Sequence, residues 1–147
     1  MALIVRSSAI HAAGCYTTIR ITKGRRIAEY TGPRISKDLA DEMYQDAPLT
    51  YLFGLGKGDT VIDGHCAAMF INHSCDPNCE TEVELGRVWI KAIKAIPAGA
   101  EITYDYHLYD GDDDEQICNC GTPKCRGTMF SETEVKKRKA AKKNGKA

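Results

Sequence analysis

The chain has 147 residues, 43% hydrophobic and 27% charged, with 20 Lys/Arg balancing 20 Asp/Glu. These are ordinary values for one globular domain, and they exclude a collagen-like or fully disordered chain. No apolar run approaches the ~20 residues of a membrane helix, and the lead MALIVRSSAI is too short for a signal peptide, so a soluble, intracellular protein is expected.

The neutral total hides an asymmetry. Residues 131–147 carry seven Lys/Arg against Glu132 and Glu134, a net +5, which leaves −5 on the first 130 residues. An acidic body concentrates cationic partners. A basic polypeptide is therefore the expected partner, with nucleic acid held only weakly and only by the tail.

Taken in chain order, β-branched and aromatic stretches predict strands at Leu3–Val5, Tyr16–Ile21 and Arg26–Tyr30. Ser36 can cap a helix whose Leu39/Met43 and Ala40/Tyr44 pairs stand four apart. Further strands are predicted at Tyr51–Leu55 and Thr60–Ile62, around a Gly54/Gly56/Gly58 loop that lacks the phosphate-cradle pattern. Thr81–Leu85 and Val88–Ile93 flank Gly86-Arg87 as a hairpin, with Val83 and Leu85 alternating with Glu82 and Glu84. In Glu101–Tyr106 a strand sets Ile102, Tyr104 and Tyr106 on one face and Asp105 on the other. The run Asp110–Glu115 is either a solvated loop or an electrostatic trap for a basic substrate. Ser131 opens a basic tail, 131–147, read as a frayed helix or disordered.

Seven cysteines, an odd number, argue against a secreted disulfide framework. Cys118, Cys120 and Cys125 fall within eight residues on a Gly121/Pro123 turn, a spacing suited to three corners of a zinc tetrahedron. The fourth ligand could be Cys75, Cys79, Cys66 or Cys15. The stretch 70-FINHSCDPNC-79 therefore admits several readings: a metal ligand, a Cys–His nucleophile built on His73 with Cys75 or Cys79, or a buried turn.

FINHSCDPNC, then 99-GAEITYDY-106, then the C-x-C-x(4)-C segment resemble, in that order, the SET-domain protein lysine methyltransferases with a post-SET zinc motif. Upstream, 8-SAIHAAG-14, 29-EYTG-32, 51-YLF-53 and 61-VIDG-64 extend the likeness over roughly residues 5–130. The resemblance implies a mostly β (α+β) fold: a SET-domain β-clip of several small sheets with a knot-like C-terminal threading and a post-SET zinc loop. It divides the chain into a SET domain at 1–109, a post-SET zinc segment at 110–130 and the basic tail at 131–147.

The resemblance also implies roles. Cys75, Cys118, Cys120 and Cys125 would share one structural zinc, leaving Cys15, Cys66 and Cys79 to pack. Tyr106 would be the catalytic tyrosine beside the transferring methyl, and Tyr51 would complete the channel and touch the cofactor. Tyr104 would stand at a Tyr/Phe switch, favouring monomethylation and, secondarily, dimethylation. Asn72 and His73 would bind S-adenosylmethionine, with Ala12, Ala13 and Gly14 against its backbone-contacting side and Gln116 and Phe130 over the adenine. The family pattern is broken by Ala12 in place of a glycine, by His65-Cys66 in place of Gly-Asn, and by Met69 in place of an arginine. These departures bear on cofactor affinity.

The implied function is S-adenosylmethionine-dependent methylation of lysine in a histone or histone-like basic tail, with automethylation of the Lys-rich tail as a further outcome. The implied location is cytoplasmic or nuclear, at chromatin, or in a host nucleus if the source is a pathogen. The rival is a catalytically weak or inactive SET-fold zinc-binding interaction module, against which the intact Tyr104 and Tyr106 argue.

Overall fold

The computed structural model describes residues 3–46, 51–55, 58–109 and 116–144. The acidic run Asp110–Glu115 lies outside them. Among the described residues there are ten strands: β1 Leu3–Ser7, β2 Ala13–Thr17, β3 Arg26–Tyr30, β4 Arg34–Ser36, β5 Leu52–Gly54, β6 Thr60–Asp63, β7 Asn72–His73, β8 Cys79–Glu84, β9 Arg87–Ala92 and β10 Glu101–Tyr104. Two helices, α1 Lys37–Met43 and α2 Glu132–Asn144, complete the described elements together with a 3-10 turn at Ala67–Phe70.

One sheet runs β1-β2-β10-β8-β9-β3, with β7 also paired to β10, and a smaller sheet runs β4-β6-β5. Central strand β10 is antiparallel to β2 and parallel to β7, placing Tyr104 opposite His73. This register brings Asn72-His73 and Tyr104-Asp105-Tyr106 side by side, although thirty residues separate them in sequence.

Strand β9 shows why the main sheet forms. Val88, Ile90 and Ala92 alternate inward and are buried, while Arg87, Trp89 and Lys91 point away from the core. The hairpin differs from expectation at its tip. Leu85 and Gly86 both take positive φ, 51° and 73°, and Glu84 pairs with Arg87. That is a two-residue turn with both central residues left-handed, the geometry whose twist matches the strands. Val83 and Leu85 are exposed, because the tip projects beyond the core and the alternation there has nothing to bury against.

Ser36 caps α1, its hydroxyl accepting from Leu39 N at 3.1 Å. The packed side of the helix is Ala40, which is buried, and Tyr44, whose hydroxyl donates to Asp63 Oδ2 at 2.6 Å. Leu39 and Met43 stay exposed. In the tail, Ser131 Oγ accepts from Glu134 N at 3.1 Å, and a helix follows as far as Asn144. Arg138 ties it down, with its guanidinium 3.9 Å from the Phe130 ring centroid and its Nε on Glu134 at 2.8 Å.

Gly64 is where close packing demands glycine. A Cβ there would lie 2.6 Å from Tyr30 Oη and 2.7 Å from Tyr51 O. Gly64 N and Tyr30 Oη both donate to that same Tyr51 carbonyl, at 2.8 and 2.6 Å. Gly64→Ala is expected to cost about 1–3 kcal/mol in urea unfolding and to displace Tyr51.

Candidate functional site

The Sγ atoms of Cys75, Cys118, Cys120 and Cys125 all lie within 4.8 Å of one another. A zinc ion with Zn–S bonds of about 2.3 Å in a tetrahedron sets its sulfurs about 3.8 Å apart, and Cys75 Sγ stands 3.7 Å from Cys118 Sγ. The donor set therefore fits structural zinc in both chemistry and spacing. Burial opposes ionisation of Cys120, yet hydrogen bonds from Thr122 and its neighbours bring the thiol down to about 6. Local backbone supports the loop: Cys118 N donates to Gly127 O at 3.1 Å, and Arg126 N donates to Cys75 Sγ at 3.3 Å.

The three remaining cysteines stand apart from the cluster. Cys15 and Cys79 are buried in the core, and desolvation pushes their thiols up to about 11 and about 12. Cys66 accepts from Thr31 N at 3.3 Å. Neither Cys15 nor Cys79 has the lowered pKa of a reactive thiol.

A cavity of about 340 Å3 lies beside the cluster, within the usual size range for small-molecule sites. Its lining includes Ala12, Ala13, Asn72, His73, Tyr51 and Tyr106. Cys118 and Asn119 of the thiol loop also face it, so one loop serves both sites. The Asn72 amide is anchored by three acceptors, Ala13 O at 2.8 Å, Glu101 Oε2 at 2.9 Å and Ser8 Oγ at 3.2 Å. Gly14 is confined by that arrangement and does not line the cavity: a Cβ there would come within 2.9 Å of Asn72 Nδ2.

Gln116 and Phe130 also lie outside the lining, contrary to expectation. Phe130 is buried under Arg138 and its backbone bridges Leu108. Gln116 gives its carbonyl to Met129 N at 2.7 Å. Ile117 and Met129 line the cavity instead, as do Ile10 and His11. No helical or strand period marks these four loop residues, which is why their role escapes sequence reading.

His73 is buried, and desolvation lowers its imidazole to about 4, so it is neutral near pH 7. Its Nδ1 accepts from Tyr106 N at 3.0 Å, which places the proton on Nε2, facing Cys75 Sγ at 3.4 Å. A neutral imidazole donating to a thiolate orients a metal ligand. The same arrangement leaves no base for a Cys–His nucleophile, since His73 is a donor toward Cys75 and Cys75 belongs to the four-sulfur cluster.

The second cavity, about 580 Å3, is lined by Tyr30, Tyr44, Tyr51, Tyr104, Tyr106 and Tyr109 among others. The chain has seven tyrosines, so all but Tyr16 converge here. Tyr104 and Tyr106 lie with ring centroids 5.0 Å apart, and Tyr106 Oη donates to Ile71 O. Burial pushes the Tyr30, Tyr104 and Tyr106 phenols well up, which keeps them neutral. Sequence reading singled out Tyr51, Tyr104 and Tyr106; Tyr30, Tyr44 and Tyr109 join them only through the fold. Tyr51, Met69 and Tyr106 line both cavities and form the partition between them.

Two cavities thus share one wall, of Tyr51, Met69 and Tyr106, and the smaller of them adjoins the loop that carries the four-sulfur cluster. The SET domain family's sequence model matches residues 12–107, and the chain belongs to that family. It is 40% identical over 137 residues to the H3 lysine-4 specific histone-lysine N-methyltransferase of Saccharomyces cerevisiae, covering 83% of this chain and 12% of that protein. It is 38% identical over 130 residues to the histone-lysine N-methyltransferase trithorax of Drosophila virilis, covering 81% of this chain and 3% of that protein. A solved structure reported under "Structural basis for the product specificity of histone lysine methyltransferases" superposes with a TM-score of 0.71 at 29% identity. It covers 87% of this chain and 55% of that one. The chain thus spans a small part of the length of these curated relatives.

Proposed function

We propose that this chain is an S-adenosylmethionine-dependent protein-lysine N-methyltransferase acting on basic tails such as those of histones. The carrying observation is the wall of Tyr51, Met69 and Tyr106 shared by two cavities. The relatives' names supply the reaction class, and the smaller cavity's mixed apolar and polar lining fits a nucleoside-bearing amino acid. When bound, S-adenosylmethionine supplies an electrophilic methyl group on sulfonium sulfur.

The larger cavity suits the acceptor. A lysine of pKa ~10.4 is about 99.9% protonated at pH 7.4, so freeing its lone pair costs about 4 kcal/mol. Tyrosine faces attract the ammonium while buried walls strip its water, which favours the neutral amine. The neutral hydroxyls can then orient the amine nitrogen toward the partition. The ammonium proton leaves through the open side of the cavity to solvent before the C–N bond forms. Zinc, held by Cys75, Cys118, Cys120 and Cys125, fixes the loop that carries Cys118 and Asn119 along the donor cavity. Exposed Lys136, Lys137 and Lys139 on α2 are a second class of acceptor, in automethylation.

Tyr104 sets the product in this reading. It is 6% exposed and packed against Tyr106, so its hydroxyl takes up the room a methylated amine would need. Wild type should give mainly monomethyl-lysine on histone peptides by mass spectrometry, and Tyr104→Phe should move product toward di- and trimethyl-lysine. Dominant trimethylation by wild type would refute the assignment of Tyr104. A weakly active interaction module is the second reading, favoured by Met69 in the partition and Ala12 on the donor cavity. Equilibrium titration with S-adenosylmethionine separates the two readings: saturable binding supports the enzyme, and none supports the module.

A further inference from the structure

Between the thiol loop and the catalytic strand lies a pair of residues that lines neither cavity. Arg126 follows the last thiol of the cluster, and Asp105 sits between Tyr104 and Tyr106. Arg126 Nη1 donates to Asp105 Oδ2 at 2.8 Å and Nη2 donates to Oδ1 at 3.1 Å, a two-pronged contact. Both side chains are largely covered, 15% and 13% exposed. The rest of Arg126 is also committed: its backbone N donates to Cys75 Sγ at 3.3 Å and its Nε to Phe130 O at 3.1 Å. Asp105 Oδ1 further accepts from His107 N at 2.9 Å, and His107 has a left-handed φ of 48°. One guanidinium thus links the thiolate cluster and the Phe130 backbone to the carboxylate that braces the turn after Tyr106.

We propose that Arg126 and Asp105 are positioning residues that transmit the state of the zinc loop to Tyr106. With the thiol loop closed, Arg126 is held where both its prongs reach Asp105. Asp105 then fixes Tyr106 and the strained turn at His107, and through them the partition between the two cavities. With the loop open, Arg126 loses its backbone anchors and Asp105 is left partly buried without its counter-ion, a costly arrangement that relaxes as the strand end moves. Residues 104–107 should therefore loosen when zinc leaves, although none of them is a metal ligand. Planarity matters as much as charge, since a lysine cannot supply the two-pronged contact.

The inference rests on the methyltransferase reading for its kinetic arm but not for its structural arm. Arg126→Gln, Arg126→Lys and Asp105→Asn are compared in the full chain. Zinc content should stay at wild-type stoichiometry in all three. In Arg126→Gln and Asp105→Asn, kcat for methyl transfer should fall roughly 10- to 100-fold while cofactor KM moves far less, with Arg126→Lys rescuing only part. The double variant should be no worse than the poorer single variant, because the two side chains act as one unit.

Hydrogen exchange by mass spectrometry reads the linkage without any turnover. Chelation of wild type should speed amide exchange across residues 101–108, and zinc-loaded Arg126→Gln should already exchange at the chelated rate there. Wild-type exchange in zinc-loaded Arg126→Gln overturns the proposal, as does loss of zinc in step with loss of activity, which would make Arg126 a brace of the metal loop alone. Absence of methyl transfer by wild type, with the exchange pattern as expected, rejects the enzyme reading and leaves the linkage standing.

Discussion

Tyr106→Phe should lower kcat for methyl transfer by about 10²- to 10³-fold while leaving S-adenosylmethionine affinity within a few-fold of wild type. Tyr106 lines both cavities, and its backbone N–H holds the His73 ring at 3.0 Å. Phenylalanine keeps the ring, and hence the wall and most of the cofactor contact. It removes the Tyr106 hydroxyl from the partition and leaves Ile71 O without the donor it now has. The expected signature is thus a kcat defect with cofactor KM nearly unchanged, read by steady-state assay of labelled methyl transfer. A matching rise in cofactor Kd would instead place the hydroxyl in ground-state binding.

Removing zinc should act differently. Chelation, or Cys75→Ser, is expected to weaken S-adenosylmethionine binding on the order of 100-fold, about 2.7 kcal/mol, as measured by isothermal titration. The cause is local: Ile117, Cys118, Asn119 and Met129 all line the smaller cavity, in which the proposal places the cofactor. These residues belong to a loop tied by isolated bridges, Ile117 to Thr128 and Leu108 to Phe130, and by backbone hydrogen bonds such as Cys118 N to Gly127 O, outside the named strands. The buried Val88, Ile90 and Ile102 of the core lie on β9 and β10, outside the loop. Far-UV circular dichroism should therefore keep its β signal after chelation while cofactor binding is lost. Global unfolding on chelation would contradict this separation of core and loop.

Cys118, Cys120 and Cys125 are the most legible feature in the sequence, because metal spacing is carried by a few residues and survives any detail of packing, whereas spacing leaves the fourth thiol open and only the family resemblance points to Cys75. The tyrosines of EITYDY were legible for a related reason: a strand's period of two places Tyr104 beside the buried Ile102. The strand itself ends at Tyr104, and Tyr106 reaches the wall through the turn that Asp105 braces. Phe130 could not be placed from sequence, because the choice between covering a cofactor and packing under α2 is made by Arg138, eight residues away. Val83 and Leu85 show the limit of alternation as a signal: the pattern marks the strand but does not say whether the core extends to its tip. The family resemblance implies that Gly14 lies against the cofactor, whereas Asn72 and Glu101 are the groups that a Cβ there would meet. The Arg126–Asp105 pair has no sequence signature, since an arginine after a cysteine motif and an aspartate between two tyrosines are related only through the fold.

The central claim is that a methyl donor in the smaller cavity meets a lysine in the tyrosine-lined one across the Tyr51–Met69–Tyr106 partition. Incubating the zinc-loaded chain with methyl-labelled S-adenosylmethionine and a panel of histones, other basic proteins and the chain alone tests it most directly. The prediction is label on lysine as a monomethyl adduct in wild type, lost in Tyr106→Phe. Saturable cofactor binding with no labelled lysine on any acceptor would contradict it.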